Sequence, residues 1–412
     1  MKLRISGSVF AVTMILLSGT AYAADSLKEA LLEGTPYIDA RYRFEYVEQD
    51  GLANDAEAST LRTRFGYKTG TYENFSAVLE FENITQVGDD DYNDTLNGRT
   101  TYPVVADVEN TEVNQSFLQY TGIPETTVKL GRQVITLDGH RFVGHVGWRQ
   151  NNQTFDAITI SNKSLPDTEI RYGYINGVNR IFGDDSPAGD WDSDSHLFNI
   201  SNTSTPLGKI VVYSYLLDFE MDAPAASNQS FGISLDGKQK LTEHLTGNYY
   251  GEYAFQQDYG SNTTDYDADY YHVSGGLSCH GLTTTVGYEV LGSDNGMAAF
   301  STPLATLHKW NGWADVFLAT PATGLEDFYV DVTYKVSGIE GDMKFLNGLL
   351  AKVQYHDFSA EEGSMDYGTE WGVYVKQPIT KNVYAEVKYA DYDTDGFATD
   401  RKKVVFGLGV TY

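Results

Sequence analysis

The chain has 412 residues, of which 57 are Asp or Glu and 29 Lys or Arg, giving a formal net charge of −28. Such acidity excludes a nucleic-acid partner, whose binding rests on basic surface. A single cysteine, Cys279, excludes an intrachain disulfide framework, while 30 Tyr and 40 Gly against 10 Pro suit many extended segments whose two faces meet different solvents.

Residues 1–23 have the order of a secretory signal peptide. Lys2 and Arg4 form a basic start, Val9 to Leu17 an apolar core, and Ala21-Tyr22-Ala23 a small-x-small cleavage site. The apolar core is too short to span a bilayer, and no later segment approaches 18 apolar residues. Residues 24–35 read as a short N-terminal periplasmic segment. There Ser26-Leu27-Lys28-Glu29 is a capping box and Gly34 a helix stop, so one or two helical turns or a frayed end are expected.

From Tyr37 onward the sequence alternates with period two. Ile38, Ala40, Tyr42, Phe44 and Tyr46 fall on one side; Asp39, Arg41, Arg43 and Glu45 fall on the other. Eighteen such segments follow one another, at 37–47, 59–69, 73–87, 111–121, 125–136, 153–162, 168–179, 195–204 and 208–220 in the first half. The second half holds 228–239, 245–257, 267–279, 282–292, 325–337, 346–358, 366–377, 382–393 and 401–412. Most are longer than the strands of soluble sheets and suit a tilted membrane strand.

The connections alternate between long and short. Gly122-Ile123-Pro124, Thr205-Pro206-Leu207 and Pro378-Ile379-Thr380 supply turn chemistry in three of the short ones. The long ones carry most of the acidity. That layout predicts an all-β fold: a transmembrane antiparallel up-and-down β-barrel of about 18 strands over residues 36–412, in the cell outer membrane. Phe406, Leu408, Val410 and Tyr412 alternate to a terminal aromatic, as in the carboxyl-terminal insertion signal of bacterial barrels.

Several stretches resemble the alginate-export family of outer-membrane porins. The most specific is Pro303-Leu304-Ala305-Thr306-Leu307-His308-Lys309-Trp310-Asn311-Gly312-Trp313-Ala314-Asp315. Ser59 to Lys68, Leu130-Gly131-Arg132-Gln133, Asp138-Gly139-His140-Arg141-Phe142 and Trp148-Arg149-Gln150-Asn151-Asn152 are similar too. The resemblance spans nearly the whole chain after the signal. It implies a monomeric barrel of about eighteen strands, passing anionic sugar polymers or smaller solutes through a basic lumen.

Alternation turns Arg41, Arg43, Arg62, Arg64 and Lys68 toward the lumen on the first two strands, and Arg171 on a later one. Arg132, Arg141 and Arg149 are placed to join them from a loop that folds in. Arginine suits anion selection because it stays charged and offers carboxylates a planar fork. These arginines could equally brace the wall against Asp39, Glu45, Glu80 and Glu82. Glu252, Glu289, Asp331, Glu370 and Glu386, beside Lys335, Lys352, Lys376 and Lys388, make the expected lumen mixed rather than uniformly basic.

The long loops at 137–152 and 293–324 are Gly-rich and aromatic, with Trp148, Trp310 and Trp313. At least one is expected to fold into or over the lumen. The acidic runs Asp89-Asp90-Asp91, Asp184-Asp185 and Asp265/Asp267/Asp269 read as solvated surface or as divalent-cation sites bridging lipopolysaccharide. Asp391-x-Asp393-x-Asp395-Gly396 copies the start of a calcium loop but reads better as a hairpin turn. No motif for hydrolysis, metal catalysis or phosphate binding occurs, and His140 and His145 suit hydrogen bonding in a packed loop.

The expectation is therefore a channel, with no enzyme activity, cofactor or metal. Its partners are outer-membrane lipid, lipopolysaccharide and small anionic or saccharide solutes. The alternatives are a dedicated exporter of an anionic polysaccharide and a barrel whose outer loops serve adhesion.

Overall fold

A computed structural model describes residues 24–412; the signal peptide expected at 1–23 lies outside the described residues. Among the described residues one α-helix, α1 (Leu27–Leu32), is followed by twenty strands. The first nine are β1 (Thr35–Gln49), β2 (Ala56–Lys68), β3 (Phe75–Asp91), β4 (Asn110–Tyr120), β5 (Thr126–Gln133), β6 (Thr154–Asn162), β7 (Thr168–Asn179), β8 (Asp190–Asn202) and β9 (Lys209–Leu217). Then come β10 (Asn228–Lys240), β11 (Leu245–Asp258), β12 (Asp267–Cys279), β13 (Leu282–Leu291) and the two-residue pair β14 (Ser293–Asp294) and β15 (Ala298–Ala299). The last five are β16 (Leu325–Lys335), β17 (Leu350–Ser359), β18 (Asp366–Pro378), β19 (Val383–Thr394) and β20 (Arg401–Thr411).

All strands except β14 and β15 form one 18-stranded antiparallel sheet. It closes on itself because β1 pairs with β2 on one side and with β20 on the other. Closure leaves no open edge, which is how a sheet satisfies every backbone group inside a bilayer. Each of the eighteen segments expected from period-two alternation is a barrel strand. Larger boundary shifts occur at β3, which ends at Asp91, at β8, which begins at Asp190, and at β17, which begins at Leu350.

The faces are inverted relative to a soluble protein. Phe65, Leu79, Phe81, Leu118, Leu130, Ile158 and Ile160 are exposed on the outward face, while Arg41, Arg43, Glu45, Arg62, Glu80 and Glu82 are buried inward. The abundance of Tyr and Gly also has a structural cause. Tyr37, Tyr213, Tyr329 and Tyr384 each pair directly across strands with Gly66, Gly232, Gly287 and Gly409. Each ring lies where a Cβ on that glycine would stand, so the side chain fits flat against the inner wall.

Short turns join the strands at one end and longer loops at the other. An exception is the connection at 336–349 on the short-turn end, which carries a 3-10 helix, Gly341–Leu346. Ser26 caps α1 by accepting from the Glu29 N–H at 3.2 Å. The helix is pinned to the β2–β3 turn by Gly70 N–H donating to Ala30 O at 2.8 Å and Tyr67 Oη–H donating to Leu31 O at 2.6 Å.

Candidate functional site

Both long loops, 134–153 and 292–324, fold into the barrel and interlock. Val143 and Leu304 form a parallel bridge, Gly144 N–H donates to Leu304 O at 2.8 Å, and Thr306 N–H donates to His140 O at 3.0 Å. Gln153 Nε2 donates to both Gly144 O and Leu304 O. Aromatic packing fixes the pair to the wall. Phe142 meets Tyr213, Tyr270 and Phe300 at ring separations of 5.0, 5.5 and 5.8 Å, and Phe317 meets Phe358 at 4.5 Å.

Buried charges complete the attachment. Arg141 Nε donates to Glu289 at 2.7 Å, and Asn311 Nδ2 donates to Glu289 at 2.6 Å and Asp327 at 3.1 Å. Glu370 accepts the N–H groups of Trp313 and Ala314. Arg149 pairs with Glu45 at 2.9 Å and approaches Asp315 at 3.5 Å, while Lys403 pairs with Asp315. Trp148 stacks on His308 with centroids 3.3 Å apart and planes 9° apart. His308 Nδ1 faces Asp315 at 2.6 Å and its Nε2 faces Lys388 Nζ at 2.6 Å. Burial pushes the His308 imidazole well below its usual range, so it is neutral: Nδ1–H donates to Asp315 and Nε2 accepts from Lys388. Burial alone would raise the Asp315 carboxyl, but the charges of Lys403 and Arg149, with the hydrogen bond from His308 Nδ1–H, outweigh it and hold it well below the usual carboxylate range.

This arrangement redistributes the basic residues expected in the lumen. Arg41 donates to Gly147 O, Arg149 O and Gln150 Oε1, so it grips the loop backbone. Arg43 donates to Trp148 O and pairs with Glu45; Arg62 pairs with Asp39 and Arg64 with Glu82. Lys68 stands exposed at the short-turn end. Arg171 pairs with Glu169 at 2.8 Å and lines a cavity of about 230 Å³ with Lys129, Gln133 and Asn199.

Arg132 is a correction. Leu130 is exposed outward and Gln133 is buried, so Arg132 shares the outward face and pairs there with Asp156 at 2.9 Å. It comes from the end of β5, not from the folded-in loop, and in a strand one residue of phase decides the face.

A larger cavity, about 520 Å³, lies between the loops and the short-turn end of β1 and β17–β20. Its lining includes Arg41, Arg43, Lys352, Lys376, Lys388 and Glu386, with Trp148, Trp313, Tyr374 and Tyr384. Lys352 is paired with Asp331 at 3.0 Å and Lys376 approaches Glu386 at 3.9 Å. Lys388 has no carboxylate within ion-pair distance among the described residues; it sits over Trp313 at 4.6 Å from the ring centroid. The three lysines were visible to the alternation, but nothing local marked them apart from the rest of a mixed lumen. The Pro303–Asp315 motif was the available signal, since it supplies His308, Trp313 and Asp315.

The "Alginate export" family model matches residues 37–294, and the chain belongs to that family. No curated protein sequence matches. Among solved structures, the barrel is similar to OccAB2 of Acinetobacter baumannii, with TM-score 0.72 and 14% identity over 93% of this chain and 99% of that one. OpdL of Pseudomonas aeruginosa gives 0.69 and 14% over 93% and 99%. OpdK of Pseudomonas aeruginosa, solved with vanillate, gives 0.69 and 13% over 93% and 100%. The chain is thus an outer-membrane porin-like barrel, a channel rather than an enzyme.

Proposed function

We propose that this member of the alginate-export family is a channel for small anionic solutes, carboxylates with an aromatic or sugar ring foremost. The observation that carries the reading is the cavity beneath the interlocked loops, where cations and aromatic faces converge around Lys388. An ammonium attracts a carboxylate at short range, and Trp and Tyr faces offer area to a flat or ring-shaped solute. Vanillate, the compound bound to the structurally similar OpdK, is an aromatic carboxylate, which agrees with that chemistry.

Of the nine basic residues expected to face the lumen, Arg141 is taken up by Glu289, and the other eight divide under this reading. Arg41 and Arg43 reach the cavity while gripping loop 134–153; Arg149 braces that loop from within it. Arg62 and Arg64 act as wall braces neutralised by Asp39 and Glu82; Lys68 acts at the short-turn mouth, and Arg171 at the smaller cavity. Arg132 contributes nothing to the lumen. Passage of a long polysaccharide needs a continuous wide lane, and two loops locked by buried ion pairs weigh against it.

Planar-bilayer recording tests the proposal. The expected result is a reversal potential on the anion side and a current reduced by vanillate or glucuronate but not by their neutral alcohol analogues. Cation preference, or equal competition by charged and neutral forms, overturns it. An intact barrel without conductance supports the adhesion reading instead.

A further inference from the structure

Helix α1 leaves its leucines uncovered. Leu27, Leu31 and Leu32 are 60%, 52% and 72% exposed, while Ala30 alone is buried against the β2–β3 turn. Leu27 and Leu31, four residues apart, project from one helix face. Such a face in water is unfavourable, and a six-residue helix has little stability of its own.

The position of α1 gives the reason. Tyr67, which holds Leu31 O, belongs to the outward set of β2 together with Phe65. Leu31 and the outward side chains Tyr67, Ala77, Leu79, Leu118 and Leu130 line a groove of about 410 Å³, and no charged side chain lines it among the described residues. Leu79, Leu118 and Leu130 belong to the apolar outer wall already described, so the groove is continuous with the lipid-facing surface. Phe75 and Tyr120, with rings 4.6 Å apart, stand at the same end of β3 and β4, as aromatic residues do at a membrane interface. Ile123, 50% exposed on the adjoining short turn, extends the apolar rim.

We infer that α1 is a membrane foot: its leucines enter the leaflet on the short-turn side, and the groove between Leu31 and the β3–β5 wall holds a phospholipid acyl chain. The helix is therefore interfacial and not a segment standing free in the periplasm.

Site-directed spin labels test this in protein reconstituted into phosphatidylethanolamine/phosphatidylglycerol vesicles. Leu31→Cys and Leu27→Cys, each in a Cys279→Ser background, are compared with Leu79→Cys on the lipid wall and Glu243→Cys on a polar turn. Barrel integrity is checked by heat-modifiable gel mobility. The expected result is that the labels at 27 and 31 collide with oxygen in preference to a water-soluble nickel chelate, with a ratio within about twofold of position 79. A ratio matching position 243 at both sites overturns the inference. As a second measurement, native mass spectrometry should find phospholipid retained on the parent protein and lost from Leu31→Asp; equal retention overturns the groove's role.

Discussion

Replacing Lys388 by Gln removes one positive charge from the basic cavity while keeping an N–H donor for His308 Nε2. Its neighbours define what the change does: Trp313 and Tyr374 present ring faces to it, and Asp315 is already held by Lys403 and Arg149. An anion about 5 Å from the ammonium gains about 0.8 kcal/mol at the dielectric of water and about 3 kcal/mol at an effective value of 20. Since 1.4 kcal/mol is tenfold, loss of that charge should reduce anion-over-cation permeability by between about fourfold and about a hundredfold, and Lys388→Glu should reduce it further. The assay is the reversal potential under a salt gradient, run at 0.1 M and again at 1 M, where screening shortens the reach of a charge from about 10 Å to about 3 Å. The shift should therefore be larger at low salt. An unchanged reversal potential at 0.1 M, with the barrel intact, would refute the assignment of selectivity to this ammonium.

Arg62→Gln should leave selectivity nearly unchanged, because Asp39 already neutralises that arginine, and should lower the temperature at which the gel-mobility shift occurs. Arg141→Ala leaves Glu289 buried without its cation, a loss of about 3–5 kcal/mol, and should both destabilise the barrel to heat and raise single-channel conductance as the loops loosen. Deleting residues 300–318 removes most of one interlocked loop; conductance should rise, and no rise would mean that this loop does not narrow the path. Gly232→Leu forces a side chain into the place of the Tyr213 ring, so folding should suffer by about 1–3 kcal/mol or more, read as a reduced heat-modifiable fraction. Burial lowers the imidazoles of His145, to about 4, and His308 below their unfolded values. The folded state thus takes up protons less readily than the unfolded one, and stability is lost as pH falls below about 6.5. The thermal transition should drop between pH 7 and 5, and less so in the His145→Gln/His308→Gln double variant.

The wall of the barrel was legible from the chain alone. Period-two alternation is a local property: each inward Arg or Glu and each outward Leu or Phe announces its face through its own neighbours in sequence. Strand number, the long-and-short rhythm of connections and the capped turn of helix at Ser26 followed from such local signals. At β5 the face is decided at the end of a strand, next to Gly131, where Leu130 outward and Gln133 inward turn Arg132 away from the lumen it is expected to line.

Which cations remain free to meet a solute was decided only in three dimensions. Arg41 meets Gln150, Arg141 meets Glu289, and Lys388 meets His308 across sequence separations of 109, 148 and 80 residues. A charge in a narrow lumen counts only after its nearest opposite charge is subtracted, and that neighbour is set by how two loops fold back through the barrel. Alternation tells each side chain which side of the wall it occupies; it carries no information about what the loops will bring opposite it.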